Sequence, residues 1–307
     1  MPCFDPKRVT LPDGRSQVVR CNKCLDCLRH RQAGWIARLH FEMKASPGGC
    51  YFLTLTYDDD HVPLKEVSPG EMLPTIRGAD VIKFHMDLRK RFQQGFYYDD
   101  TLQKVGWSDK VRIDLPECHF RYYMTSEYGP ETKRPHYHAF YSFLPEDEAL
   151  VFDLFDQIWG KGFITMEKAR CDAAATYVSK YLVNDSLVPH DERVERPRAW
   201  ISKGLGSSYL ESSALVDWHR DAPLQHQFVL IDGHKGILPR YWRDKLYDDE
   251  MKAVILDDCE SRDAAKARSF ARLSPFEQLD SKLREKHLYE ESVRQAEWHF
   301  RKNGKLK

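Results

Sequence analysis

Two β-prone runs, Phe120 to Glu127 and His136 to Phe143, flank the turn Tyr128-Gly-Pro-Glu-Thr-Lys-Arg-Pro135. No other segment constrains the fold as tightly. Strand side chains alternate, so His136 and His138 face one way and Tyr137 the other. Two imidazoles at that spacing can share one metal ion. If the two runs pair, Glu127, next to the turn, lies beside both histidines. That gives an N,N,O donor set suited to Mg²⁺ or Mn²⁺ when a substrate phosphate completes the shell. His119 has the same strand parity but lies eight residues before Glu127, about 27 Å of extended chain. The two cannot meet one ion, and Glu127 is the third ligand chosen here. The competing reading is an ordinary strand pair with a solvated Glu127.

A second group of residues complements this one. Asp172 can cap a helix from Ala173 to about Asn184. Within it, Tyr177 and Tyr181 stand at i, i+4 and share a face, and Lys180 is three residues from Tyr177. A tyrosine, with an unperturbed pKa of about 10, is a poor nucleophile at neutral pH. A nearby cation and a polarised phosphate make its attack feasible. Alone, such a pair reads as core packing; beside two histidines and a carboxylate it reads as a nucleophile site.

Of eight cysteines, Cys21, Cys24 and Cys27 form C-x2-C-x2-C. With Cys3 as a fourth ligand they suit a tetrahedral Zn²⁺; reduced thiols without metal and an iron–sulfur cluster are the other readings. The surrounding segment, residues 1–44, carries nine Lys or Arg against four Asp or Glu. A helix starting near Cys27 places Leu28, Trp35, Ile36, Leu39 and Met43 on one face and stops at Ser46-Pro-Gly-Gly49. Cys50 to Tyr57 reads as a strand and residues 58–79 as a loop. Asp80 reads as the N-cap of a helix to about Gln94, with Phe84, Leu88 and Phe92 aligned. A further helix carries Val151, Leu154, Phe155 and Ile158 and closes at Gly160, before a short strand, Gly162 to Met166.

The chain sums to zero charge, 47 basic against 47 acidic residues. That counts against non-specific coating of nucleic acid, which needs an excess of Lys and Arg. The balance is a sum of unlike parts, however: Glu146 to Gly160 holds five acids and no base. The longest uncharged run, Ala45 to Tyr57, has 13 residues, too short for a bilayer span of about 18 or more. No secretory signal pattern is visible at the N-terminus, so the expectation is a reducing cytoplasm and no membrane partner.

Phe52-Leu-Thr-Leu-Thr-Tyr57, Ser126-Glu-Tyr-Gly129, Arg134-Pro-His-Tyr-His138 and Tyr177-x-x-Lys180-Tyr181 occur in one order after the Cys-rich start. This set resembles the HUH endonucleases. More narrowly, it is similar to the rolling-circle replication initiators of gokushovirus-like Microviridae phages, over residues 3 to about 247. Ile201-Ser-Lys-Gly-Leu-Gly206 and Leu238-Pro-Arg-Tyr-Trp-Arg243 fit less specifically. One departure is Asn184, where related two-tyrosine initiators often carry another lysine.

The resemblance implies an α+β HUH endonuclease fold: a central antiparallel sheet of about five strands, flanked by helices. It implies a Cys-rich basic segment and helix over 1–45, the catalytic core over 46–186 and a family-specific extension over 187–242; the charged region over 243–307 reads as mainly helical from its own pattern. His136, His138 and Glu127 would hold Mg²⁺ or Mn²⁺. Tyr177 and Tyr181 would attack the phosphate in turn, with Lys180 offsetting charge. The outcome would be nicking of single-stranded or locally melted origin DNA, a 5′-phosphotyrosyl intermediate, and release of circular DNA. Thr54, Thr56, Arg134 and Lys203 are the expected DNA contacts, the last through the Lys203-Gly-Leu-Gly206 loop. No G-x-x-x-x-G-K-[ST] loop is present, so unwinding would fall to a host helicase and synthesis to a host polymerase, in the bacterial cytoplasm. A plasmid initiator, relaxase or transposase would share the chemistry; a zinc-containing, non-catalytic nucleic-acid-binding protein is the alternative of another class.

Overall fold

The computed structural model describes residues 3, 6–10, 14, 16–22, 25–94, 97–99, 104–106, 120–129, 131–169 and 191–303. In chain order the elements are β1 (Lys7–Thr10), β2 (Ser16–Val19), α1 (Leu25–Ala45), β3 (Gly49–Thr56), β4 (Leu64–Ser68), β5 (Glu71–Pro74), α2 (Gly78–Gln94), β6 (Tyr97–Asp99), β7 (Lys104–Gly106), β8 (Arg121–Tyr128), β9 (Pro135–Leu144), α3 (Glu148–Trp159), β10 (Ile164–Lys168) and β11 (Ala199–Ile201). Then follow α4 (Ser213–Asp221), β12 (Phe228–Ile231), β13 (His234–Ile237), α5 (Arg240–Leu246), α6 (Asp249–Ala271) and α7 (Pro275–Asn303). Two compact units result: residues 38–207, and residues 1–37 together with 208–307.

The first unit is built on a five-stranded sheet in the order β10-β3-β9-β8-β11, each neighbour antiparallel. This agrees with the expected α+β class and strand number. The sheet has two unlike faces because its strands alternate. Tyr51, Leu53, Leu55 and Tyr57 of the β3 run, and Tyr137, Ala139 and Tyr141 of β9, are buried in one core with Met124 and Tyr128 of β8. Val81, Phe84 and Leu88 of α2 and Val151, Leu154, Phe155 and Trp159 of α3 belong to the same core. Each large apolar side chain buried this way contributes about 1.5–3 kcal/mol. The opposite face carries Phe52, Thr54 and Thr56, His136, His138 and Phe140, and Thr125 and Glu127.

His85 couples α2 to the strand bearing the histidines. The Tyr141 hydroxyl lies 2.8 Å from His85 Nε2, and His85 Nδ1 lies 2.8 Å from the Val81 carbonyl. A carbonyl only accepts, so Nδ1–H donates and Nε2 accepts from the Tyr141 hydroxyl, a neutral ring with both nitrogens satisfied. Burial pushes the His85 pKa down to about 3, against the raising effect of the Val81 hydrogen bond.

α3 is bounded as its sequence suggests. The Asp147 side chain accepts from Leu150 N–H at 3.1 Å, and Gly160 takes the left-handed conformation, φ 51°, at the C-terminus. Asp80 differs from expectation. α2 starts at Gly78, and the Asp80 carboxylate instead accepts from the Tyr57 hydroxyl at 2.9 Å and pairs with Lys161 at 3.4 Å. Residues 58–79 are not all loop, because β4 and β5 form a hairpin there. The expected helix from Ala173 to Asn184 lies outside the described residues.

In the second unit, β1 and β2 pair, as do β12 and β13. Trp242 of α5 stacks on Tyr209 with ring centres 4.1 Å apart. α6 and α7 realise the helical pattern read over 243–307, and α6 buries none of its side chains.

Candidate metal centre

Register builds the site. Across β8 and β9, Glu127 is the partner of His136 and Thr125 the partner of His138; across β3 and β9, Thr56 pairs with His136 and Thr54 with His138. Paired residues share a face, so both imidazoles and the carboxylate converge. Glu127 Oε2 lies 3.7 Å from His136 Nε2 and 3.6 Å from His138 Nε2. The two rings stand at 88°, with centroids 4.9 Å apart.

Each ring is oriented from behind. His138 Nδ1 is 3.0 Å from Thr54 Oγ1, and His136 Nδ1 is 3.4 Å from the Arg134 carbonyl. The Arg134 carbonyl only accepts, so His136 Nδ1–H donates to it; in both rings Nε2 is the nitrogen turned toward Glu127, the arrangement by which outer groups fix metal-binding histidines. Burial lowers the His138 pKa, against the pull of Glu127. Burial alone would raise Glu127, but hydrogen bonding and charge from His136 and His138 outweigh it and hold the carboxyl at about 2. At neutral pH the set is an ionised carboxylate beside a neutral His138, the protonation state of metal ligands.

The separations also fit one ion. Donors each about 2.1–2.2 Å from a common ion, at angles of about 90–110°, lie about 3.0–3.6 Å apart. Glu127 Oε2 to each Nε2 is 3.6–3.7 Å, close to the spacing of a bridged pair.

The remaining expected residues divide. Thr54 sits under His138 rather than presenting its hydroxyl outward. Thr56 is on the site face, where its hydroxyl donates to the Phe163 carbonyl at 3.1 Å. Arg134 donates to the Tyr57 carbonyl at 3.3 Å and forms an ion pair with Asp59. Lys203 is exposed, but the amide of Gly206 in the same loop donates to Glu42 Oε2 at 2.6 Å. That amide serves the protein's own carboxylate, which also binds Arg121 at 3.1 Å. Tyr177, Lys180, Tyr181 and His119 lie outside the described residues. Thr125 was not singled out from the sequence. Its hydroxyl is fully buried on the site face, level with His138, and has no hydrogen-bond partner among the described residues. Its strand parity with Glu127 is the signal that marks it.

A second donor cluster lies in the other unit. Cys3, Cys21 and Cys27 bring their sulfurs within 4.8 Å of one another. Cys21 Sγ and Cys27 Sγ are 3.8 Å apart, and the Cys21 amide donates to Cys3 Sγ at 3.2 Å. None of the three is in a disulfide. Zn–S bonds of about 2.3 Å at tetrahedral angles place sulfurs about 3.8 Å apart, so these thiols fit that ion; Cys24 lies outside the described residues.

A five-stranded antiparallel sheet with H-x-H on its middle strand and a carboxylate on the next is compatible with the HUH architecture. Residues 50–186 match the family model for the replication-associated protein ORF2/G2P, and this segment contains β8 and β9. The chain is similar to this replication-associated protein family over that segment and to two phage members along most of its length. It is 27% identical over 266 residues to the replication-associated protein ORF2 of Spiroplasma virus 4, covering 76% of this chain and 72% of the relative. It is 27% identical over 241 residues to the replication-associated protein VP4 of Bdellovibrio phage phiMH2K, covering 73% and 66%. No solved structure matches the chain. Among the described residues, no helix is long and apolar enough to cross a membrane.

Proposed function

We propose that the chain initiates rolling-circle replication of a phage genome by nicking single-stranded or locally melted origin DNA and later rejoining it. The observation that carries this reading is the convergence of Glu127, His136 and His138 on one sheet face, inside the segment that matches a replication-associated family.

His136, His138 and Glu127 would hold Mg²⁺ or Mn²⁺. When bound, such an ion supplies Lewis-acid stabilisation of charge on a phosphate. Thr54 beside His138 Nδ1 and the Arg134 carbonyl beside His136 Nδ1 would hold both rings with Nε2 toward the ion. Tyr177 or Tyr181 would attack phosphorus; the tyrosyl O–P bond forms as the P–O3′ bond breaks, leaving a 5′-phosphotyrosyl link and a 3′-hydroxyl. Lys180 would offset charge on the phenolate or phosphate. The link conserves a phosphoester, so the 3′-hydroxyl of a second cut can reverse the step without ATP and release a circle. The 3′-hydroxyl made first would prime a host polymerase, with a host helicase opening the duplex. Cys21, Cys24 and Cys27, with Cys3 as the fourth donor, would hold a structural zinc that fixes the N-terminal segment.

The test is covalent capture. Labelled single-stranded oligonucleotides, tiled along the plus strand of the encoding genome, are incubated with the full chain and Mn²⁺ and run on a denaturing gel. One oligonucleotide should give a shifted protein–DNA adduct. The Tyr177→Phe/Tyr181→Phe double variant should give none. Absence of an adduct with every oligonucleotide and metal refutes the nickase; an adduct with the double variant moves the nucleophile elsewhere.

A further inference from the structure

The site face extends beyond its ligands. Its outermost row crosses the sheet as Glu127 on β8, His136 on β9 and Thr56 on β3. The pairing of Ile164 with Leu55 fixes the register of β10, and one residue earlier stands Phe163, level with Thr56. Thr56 N–H donates to the Phe163 carbonyl at 2.9 Å, as does its hydroxyl at 3.1 Å. Ile164 belongs to the core, so alternation turns Phe163 to the face of Thr56 and His136. Two strand spacings, about 10 Å, separate Phe163 from His136.

Phe163 is 70% exposed, whereas Ile164 beside it is 8% exposed. Single exposed apolar side chains are common; what sets this one apart is the fixed backbone beneath it. The Asp58 amide donates to the Lys161 carbonyl at 3.0 Å, and Trp159 Nε1–H donates to the Thr56 carbonyl at 2.8 Å. Gly162 has φ +148° and lies so close to the β3 end that a Cβ would meet Thr56 O and Asp58 N at 2.4 Å. The ring is therefore presented on ordered chain, and binding there would not have to order the backbone first. The cations nearby are engaged within the protein, Lys161 with Asp80 and Arg134 with Asp59.

We propose that Phe163 is the platform on which a base of the substrate strand stacks, seating the neighbouring phosphate at the Glu127–His136–His138 centre. The proposal rests on the reading of the chain as a single-stranded-DNA nickase and adds the residue that fixes where the strand lies along the sheet. Every base has a π-face, so the platform accepts any of them; it positions the strand and does not read its sequence. Phe163 is a positioning residue, since no bond forms or breaks at it.

The experiment compares the full chain with Phe163→Ala, Phe163→Trp and Phe163→Leu. Binding of a fluorescein-labelled dT12 oligonucleotide is followed by anisotropy across a salt series. A parallel set of 12-mers carries 2-aminopurine at successive positions. Phe163→Ala should weaken binding about tenfold and leave the slope of log affinity against log salt unchanged, because no phosphate contact is lost. Phe163→Trp should bind within about twofold of the parent, and Phe163→Leu should fall between. The parent and Phe163→Trp should quench 2-aminopurine at one position, and Phe163→Ala should not. All four proteins should bind Mn²⁺ and melt alike.

Parent binding that persists undiminished in Phe163→Ala, with no position-specific quenching, overturns the platform and leaves the nickase reading intact. A reduced salt slope in Phe163→Ala also overturns it, because the loss is then one of charge contacts. A parent chain that binds no single-stranded DNA overturns the reading of the site itself.

Discussion

The chain carries two donor clusters assembled by different means. Glu127, His136 and His138 are placed by a β-ladder: two of them on the middle strand, one on its neighbour, and Thr54 behind them from a third. Cys3, Cys21 and Cys27 are gathered from a short N-terminal stretch with a four-residue-strand hairpin beside them. The first centre is fixed by the fold before any ion arrives. Among the described residues the cluster around the second consists of Cys21, Cys27 and Cys3 alone, so an ion there would supply much of the holding energy, as in small zinc modules. An N,N,O set of this kind would leave an open position at its ion, whereas a sulfur set would close around one.

The contrast predicts its largest effect at the cysteines. Cys21→Ser or exhaustive chelation should release about one zinc per chain and destabilise the N-terminal segment by on the order of 5 kcal/mol, read by hydrogen exchange. Metal content below about 0.2 atoms per chain in protein never exposed to chelator would remove the distinction.

Next comes the His136→Ala/His138→Ala double variant. It should lose Mn²⁺ binding and form adduct about a thousandfold more slowly, yet unfold at nearly the parent denaturant concentration. A large loss of stability would mean that the ladder does not stand without its ligands.

The third prediction tests the sheet from below. His85 stays neutral in the fold, with its pKa near 3, but protonates near 6.5 once unfolded. The unfolded chain therefore binds the extra proton between those values, and stability falls as pH drops through that window, by about 1.4 kcal/mol per pH unit from this group. His85→Phe should flatten the slope between pH 6 and 4 by about that amount, whether or not Mn²⁺ is present. An unchanged slope would exclude His85 as the acid-sensitive link.

The smallest effect should come from Thr54→Val, which keeps the strand but removes the partner of His138 Nδ1. Mn²⁺ affinity should fall about ten- to hundredfold, with unchanged melting. Unchanged affinity would show that the ladder alone orients the ring.

These predictions also separate what was legible in the sequence from what was not. The His136/His138 pair, its carboxylate and the buried faces of α2 and α3 follow from short-range periodicity, which one strand or helix displays in full. β11 does not: it has three residues, and its pairing of Ala199 with Thr125 joins positions far apart in sequence. The Thr54 hydroxyl illustrates the same limit. A strand with T-L-T tells which way threonines point, but only the register against β9 reveals that Thr54 meets an imidazole. Asp80 matched a helix-capping pattern, yet Tyr57 and Lys161, brought in by tertiary packing, claim its carboxylate. Cys3 was readable as a partner for Cys21 because few cysteines compete in that segment.

Gly162 has a consequence for which substitutions this protein can accept. Glu127, His136 and His138 have chemical equivalents among other donor side chains, and Phe163 among other rings. At Gly162 the smallest possible addition, a single methyl group, would collide with main-chain atoms of the Thr56–Asp58 segment, and main chain cannot step aside as a side-chain tip can. The least replaceable residue at this end of the sheet thus carries no functional group at all.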